Sequence, residues 1–225
     1  MKKNKEIKIS VSTNPPKVSD LIDYIEVLNK TSADFIHCDV MDGKFVPANT
    51  FNHEMVDKIN QKTEKPLDVH LMVKRPFSKI KKYVEAGADI LTVHYESFIC
   101  KKRLVKCLKE IYKLGAKAGL SFSPKTKVED ILPFIPYCQN ILIMSVVPGK
   151  SGQKFIEESY DKVKAVVGYI KEKGLDDITI EIDGGINNDN IKKLSSLGVD
   201  IFVVGNYVYS SDNVSKTIDD LKSKD

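Results

Sequence analysis

Two imidazoles and two carboxylates are the side chains here whose types and spacing could do chemistry. "FIHCDVMDGKFVP" (35–47) sets His37 and Asp39 two residues apart in an apolar run, "PLDVHLMV" (66–73) carries His70, and "TIEIDGGIN" (179–187) carries Asp183. In an extended strand, residues i and i+2 share a face. His37 and Asp39 therefore point one way, and Ile36, Cys38 and Val40 the other. By the same count Asp68, His70 and Met72 share a face, and Glu181 lies on the side of Asp183. Taken singly, a buried His is most often a satisfied core residue, and an Asp at a strand end most often caps the next helix. Four such side chains at matching positions of three strands suit a site for Zn²⁺, Fe²⁺ or Mn²⁺.

Three glycine-containing stretches form a second constellation: "VVPGKSGQKF" (146–155), "DGGIN" (183–187) and "VVGNYVY" (203–209). Glycine lets backbone N–H groups approach an anion closely, and a helix N-terminus favours negative charge. One such turn only shapes a loop, but three at one end of a fold point to a phosphorylated substrate. Ser10 is a candidate for contact with a substrate hydroxyl. Met41, Met72 and Met144 are candidates for an apolar lining, although core packing is the commoner role of Met. His94 and Glu96 are candidates to back the site from behind, His53 reads as a surface helix residue, and Asp42 suits a turn.

These residues need a frame. A small residue, often an Asp, and a short apolar run recur in "SADFIHCDV" (32–40), "AGADILTVH" (86–94), "LGAKAGLSF" (114–122) and "LGVDIFVVG" (197–205). Charged segments with helical spacing come before them, such as 18–29 and 155–171. Short apolar runs alternating with helices predict buried parallel strands. Eight strands are expected, at 7–12, 35–40, 67–72, 90–94, 117–122, 140–146, 179–183 and 201–205. Eight such units predict an α/β fold, a (β/α)₈ TIM barrel, with a doubly wound open sheet as the alternative. Nothing suggests a linker, so residues 1–225 are expected to form a single barrel domain. In such barrels chemistry sits at the C-terminal ends of the strands, and the loops after the seventh and eighth strands often bind phosphate.

Composition excludes other classes. Hydrophobic residues make up 42% and charged residues 29%, ordinary values for a globular chain with a full core. The 35 basic residues are interleaved with 31 acidic ones and there is no Trp, which argues against a nucleic-acid surface. Stretches such as "CKKRLVKCLKE" read as solvated helix faces. No apolar run is long enough to span a bilayer. "MKKNKEIKIS" lacks the apolar core and cleavage site of a secretory signal, so a cytoplasmic protein is expected. Cys38, Cys100, Cys107 and Cys138 show no CxxC pairing, which argues against a disulfide framework or zinc knuckle.

"HCDVMDGKFVP", "PLDVHLMV", "AGADILTVHYE", "MSVVPGKSGQKF" and "EIDGGIN", in this order from about residue 7 to 209, closely resemble the ribulose-phosphate 3-epimerase family. The resemblance implies a phosphate-binding TIM barrel of the ribulose-phosphate-binding type with one divalent metal ion (Zn, Fe, Mn or Co). It implies interconversion of D-ribulose 5-phosphate and D-xylulose 5-phosphate in the pentose phosphate pathway, and a homo-oligomer. It assigns metal ligation to His37, Asp39, His70 and Asp183 and acid/base roles to Asp39 and Asp183. It assigns substrate binding to Ser10, His70, Gly149, Lys150, Ser151, Gly152, Gly184, Gly185, Gly205 and Asn206.

The chain departs from the family pattern in three places. The usual Pro-Ser-(Ile/Leu)-Leu-Ser at the first strand is replaced by the run from Ile9 to Pro16. The Gly-Phe-Gly-Gly loop reads Gly149-Lys150-Ser151-Gly152, and the Gly-Ser pair after the last strand reads Gly205-Asn206. All three fall on parts that hold the sugar phosphate. A 3-epimerase of a ketohexose 6-phosphate such as D-allulose 6-phosphate is therefore the alternative. Decarboxylases and hexulose-phosphate synthases on similar barrels carry D-x-K-x-x-D at the third strand, where this chain has Asp68-Val69-His70. The missing Lys argues against decarboxylation. Retention of both Asp and both His argues against a non-catalytic sugar-phosphate sensor.

Overall fold

A computed structural model describes residues 6–14 and 20–223. Eight parallel strands close in chain order into a barrel: β1 (Lys8–Ser12), β2 (Phe35–Met41), β3 (Leu67–Met72), β4 (Ala88–His94), β5 (Lys117–Phe122), β6 (Asn140–Met144), β7 (Thr179–Asp183) and β8 (Ile201–Val204). The helices are α1 (Leu21–Asn29), α2 (His53–Asn60), α3 (Ile80–Glu85), α4 (Lys101–Lys113), α5 (Ser159–Lys173), α6 (Asn188–Leu197), α7 (Asn206–Tyr209) and α8 (Val214–Lys222). Among the described residues no helix is long and apolar enough to cross a membrane. The open-sheet alternative is excluded, because β8 pairs with β1.

The recurring small-residue–Asp pattern has a structural cause. Asp34, at the entrance of β2, accepts the Ile9 N–H of β1 at 2.8 Å. Asp89 of β4 accepts the Leu67 N–H of β3 at 2.8 Å, and Asp200 before β8 accepts the Ile180 N–H of β7 at 2.9 Å. Gln139, before β6, does the same for Ala118 of β5 at 3.0 Å. At each even-numbered strand a side chain thus pins the start of the odd strand before it. Bonds to a charged acceptor are worth roughly 1.5–3 kcal/mol each. These residues hold the N-terminal end of the barrel, away from the site.

The main apolar core lies between barrel wall and helices and contains the outward set Ile36, Cys38, Val40, Leu67, Val69 and Leu71. The barrel interior is largely polar: Ser10, His37, Asp68, His70, Thr92, Ser121, Asn140 and Glu181 are all fully buried. Branched apolar side chains usually fill such interiors. This chain instead builds a polar interior under the mouth, in part hydrogen-bonded through Ser10, His37, Asp68, Asn140 and Glu181, with the Thr92 and Ser121 hydroxyls unpartnered.

Element edges differ from the sequence-based expectation in instructive places. β4 begins two residues early, at Ala88, because Asp89 is held by its bond to Leu67. α5 begins at Ser159 rather than at 155, because the preceding segment is tied to the barrel by the Ile156 N–H bond to the Ser145 carbonyl at 2.9 Å. α1 begins at Leu21, and Val18, expected in that helix, lies outside the described residues, as do Pro15 and Pro16. His53 opens α2 half-buried, with Asn52 capping the helix through Met55 N–H at 3.3 Å.

Candidate active site

The register of the sheet gathers the four candidate ligands. Asp39 of β2 is paired directly with His70 of β3, and Asp183 ends β7 beside Met144 of β6. His37 Nε2 lies 3.3 Å and His70 Nδ1 3.2 Å from the same oxygen, Asp39 Oδ1. His70 Nδ1 is 3.9 Å from Asp183 Oδ2. One donor atom from each of His37, Asp39, His70 and Asp183 lies within 4.8 Å of all the others. Two imidazole nitrogens and two carboxylate oxygens so close together fit a divalent transition-metal ion.

A second cluster, His37 with Asp68 and Glu181, meets the same distance test. It is fully buried, and its groups are bonded largely to one another. Asp68 Oδ2 accepts from Ser10 Oγ at 2.9 Å and pairs with His37 Nδ1 at 2.6 Å, and Asn140 donates to Glu181. Asp68 therefore acts as an orienter. By engaging Nδ1 of His37 it leaves Nε2 to face Asp39, the carboxylate–imidazole arrangement that aims metal-binding histidines.

The carboxylates differ in charge. Burial pushes Asp39 up, but His37 and His70 beside it overcome this and hold it well below the usual carboxylate range. Asp183 goes the other way: burial and the neighbouring Asp39 charge raise it to about 7. Below them Glu181 is raised well above normal by burial and by Asp68, while Asp68, despite burial, is lowered by His37. Burial disfavours charge on His37, but Asp68 and Asp39 on either side raise it well above normal. Near neutral pH one carboxyl at the mouth is thus ionised and the other, at about 7, is poised between its two forms.

Above these groups opens a cavity of about 370 Å³. Asp39, Asp183, Gly149, Lys150, Ser151, Gly152, Gly184, Gly185, Gly205 and Asn206 border it, as do Met41, Met72 and Met144. His37 and His70 are fully buried beneath Asp39 and do not border it. Ser10, expected at the substrate, is fully buried, donates to Asp68 and, like His70, does not border the cavity. Ser12, two residues on, borders the cavity and donates to Asp39 Oδ2 at 3.1 Å. Both share one face of β1, and two residues of strand span roughly 6.6 Å, enough to separate the interior from the mouth.

The glycine loops brace one another. A Cβ on Gly185, at φ +66°, would stand 2.5 Å from the Phe155 amide nitrogen, so the loops after β6 and β7 touch through their backbones. Ser145 Oγ donates to the Asp183 and Gly184 carbonyls at 2.9 and 2.6 Å. Gln153, unremarked in the sequence, donates to the Val147 and Lys150 carbonyls at 2.6 and 2.7 Å and holds the cation-bearing loop. Asp42 serves its own loop: it accepts from Lys44, Phe45 and Lys74 N–H groups at 2.9–3.0 Å and pairs with Lys79 at 3.2 Å.

A closed parallel barrel with imidazoles, carboxylates and glycine loops at the C-terminal ends of its strands defines the class: a TIM-barrel enzyme. Solved barrels agree with the fold at 12–14% identity. KGPDC from Streptococcus mutans superposes with a TM-score of 0.70, covering 97% of this chain and 96% of that one. The 3-hexulose-6-phosphate synthase from Salmonella typhimurium gives 0.69, covering 96% of each. The chain belongs to the ribulose-phosphate 3-epimerase family, whose sequence model matches residues 8–209. Proteins named ribulose-phosphate 3-epimerase are similar along most of its length. That of Bacillus subtilis is 37% identical over 216 residues, 96% of this chain and 98% of the relative. That of Chlamydia trachomatis is 39% identical over 189 residues, 84% of this chain and 80% of the relative.

Proposed function

We infer that the protein inverts C3 of D-ribulose 5-phosphate to give D-xylulose 5-phosphate. The observation that carries this reading is the pair Asp39 and Asp183. They stand at one cavity but come from β2 and β7, three places apart around the ring, and their surroundings push their proton affinities in opposite directions. Epimerisation next to a ketone needs a base on one face of C3 and an acid on the other. In one direction the ionised Asp39 takes the C3 proton, leaving a planar enediolate, and the protonated Asp183 returns a proton to the opposite face. The reverse reaction exchanges their roles.

The asymmetry suits this task, since Asp183 holds a proton more firmly than Asp39 does. A divalent ion held by His37, Asp39, His70 and Asp183 would supply Lewis-acid stabilisation of the oxyanion formed beside C3. Met41, Met72 and Met144 give the reacting carbons an apolar wall that limits water. The loops at Gly149–Gly152, Gly184–Gly185 and Gly205–Asn206 bind the phosphate through backbone N–H groups, with Lys150 adding charge. Binding the remote phosphate positions C3.

Zn, Fe, Mn and Co all suit this donor set. Free Cys38, Cys107 and Cys138, all buried, fit a reducing cytoplasm, and family resemblance supports a homo-oligomer. The names of the relatives favour the pentulose over a ketohexose 6-phosphate. A coupled assay with ribulose 5-phosphate and allulose 6-phosphate on metal-loaded protein tests the reading. Turnover of the pentulose phosphate is expected, and failure to turn over either sugar would refute 3-epimerisation. Chelation should abolish turnover, with recovery on adding Co²⁺.

A further inference from the structure

Behind the site runs a line of side chains that the proposed chemistry does not use. His70 Nε2, on the side away from Asp39, lies 2.8 Å from Nε2 of His94 on β4. The two ring planes lie within 24° of parallel, with centroids 4.9 Å apart. His94 Nδ1 lies 3.0 Å from Glu96 Oε2. The other Glu96 oxygen, Oε1, accepts the Ser123 N–H at 2.8 Å and the Thr126 hydroxyl. Lys162 of α5 grips the same loop, donating to the Ser123, Pro124 and Thr126 carbonyls at 3.2, 2.6 and 2.7 Å. His94 is fully buried.

The proton positions follow in order from the outer end. A carboxylate only accepts, so the hydrogen between His94 and Glu96 sits on His94 Nδ1. A neutral imidazole carries one N–H, which leaves His94 Nε2 as an acceptor. The 2.8 Å contact then needs its hydrogen from His70 Nε2. That places a proton on His70 Nε2, so that Nδ1, which faces Asp39 and Asp183, is the ring nitrogen left for a metal ion.

We propose that Glu96 and His94 are positioning residues that hold His70 in its Nε2–H tautomer, so that Nδ1 is available as a ligand to a divalent metal ion. Asp68 does the mirror task for His37 directly, whereas His70 is set through a second imidazole. The metal role of His70 rests on the function proposed above; the tautomer does not.

Glu96→Gln tests the relay with almost no change of shape. The Ser123 N–H and the Thr126 hydroxyl keep the amide oxygen of Gln on their side, so its NH₂ faces His94 Nδ1. His94 must then accept at Nδ1 and donate from Nε2, which drives the His70 proton to Nδ1. Side-chain ¹⁵N NMR should show a proton on His70 Nε2 in the wild type and none there in the variant. Co²⁺ affinity should fall about 10- to 100-fold, the usual cost of losing an outer partner of a ligand. A purely structural role would lower the melting temperature and leave the tautomer unchanged. A wild-type His70 without a proton on Nε2, or a variant that keeps that proton and wild-type Co²⁺ affinity, would overturn the proposal. If the wild type binds no Co²⁺, the metal-dependent function fails while the NMR result still decides the relay.

Discussion

Replacing Asp183 with Asn should make the metal-free protein more stable while destroying its activity. Burial and the Asp39 charge raise the Asp183 carboxyl from 3.8 to about 7. Below about pH 4 the carboxyl is protonated in both folded and unfolded chains, and no penalty exists. Between about pH 4 and 7 the unfolded chain releases the proton and the folded chain keeps it, so stability is lost as pH rises. Above about pH 7 both states are ionised and the loss is constant. A rise of roughly three pK units corresponds to about 4 kcal/mol. The Asp183 side chain is 17% exposed at the cavity, so solvent screening reduces the expected effect to about 2 kcal/mol.

The amide of the variant has no proton to lose. In urea titrations of metal-stripped protein, Asp183→Asn should match the wild type at about pH 4 and exceed it by ~2 kcal/mol at about pH 8. For a chain of this length that is a rise of about 4–8 °C in Tm. Comparing the two proteins cancels the titrations of groups remote from Asp183. Loss of an acid/base group should lower kcat by at least ~10²-fold. A stability difference independent of pH would refute the charge argument, and wild-type turnover would refute the role of Asp183 in proton transfer.

Three further substitutions test other parts of the structure. In Gly119→Ala the new Cβ would stand 2.0 Å from Thr92 Oγ1 and 3.0 Å from its Cα inside the barrel. Overpacking there should cost about 2 kcal/mol or more in urea unfolding, and an unchanged midpoint would contradict the tight interior. Gly185→Ala places a Cβ at positive φ against the Phe155 backbone; steady-state kinetics should show KM for the sugar phosphate about tenfold higher, with a smaller change in kcat. A kcat effect alone would mean that this loop does not bind the phosphate. Lys150→Ala removes an exposed cation at the cavity and should raise KM roughly threefold at low salt, with the difference vanishing at high salt, as screening of a surface charge requires.

Much of the fold is legible in the sequence because each strand is buried against helices on its outer face, so outward residues such as Ile36, Cys38 and Val40 form a regular apolar set. Alternation then placed His37, Asp39, His70 and Asp183 on inward faces, and the glycine loops marked one end of the barrel. Asp34, Asp89 and Asp200 repeat visibly, but their task of pinning the neighbouring strand needs the sheet register. Depth along the barrel axis was not legible: period-two alternation gives Ser10 and Ser12 the same face, and only closure of the barrel puts one on Asp68 and the other at the cavity. The start of α5 was misread because Phe155 continues a helical spacing while its segment is tied to β6.

From the sequence alone come the donor types, their shared faces, the count of eight strands and the family resemblance, since these depend on local periodicity and residue identity. Tertiary structure decided the rest, because charge state and tautomer depend on neighbours far apart in the chain. Asp39 and Asp183 have the same side chain; the histidines around one and the carboxylate facing the other separate their proton affinities. The proton on His70 is likewise set by Glu96, through His94 on the neighbouring strand.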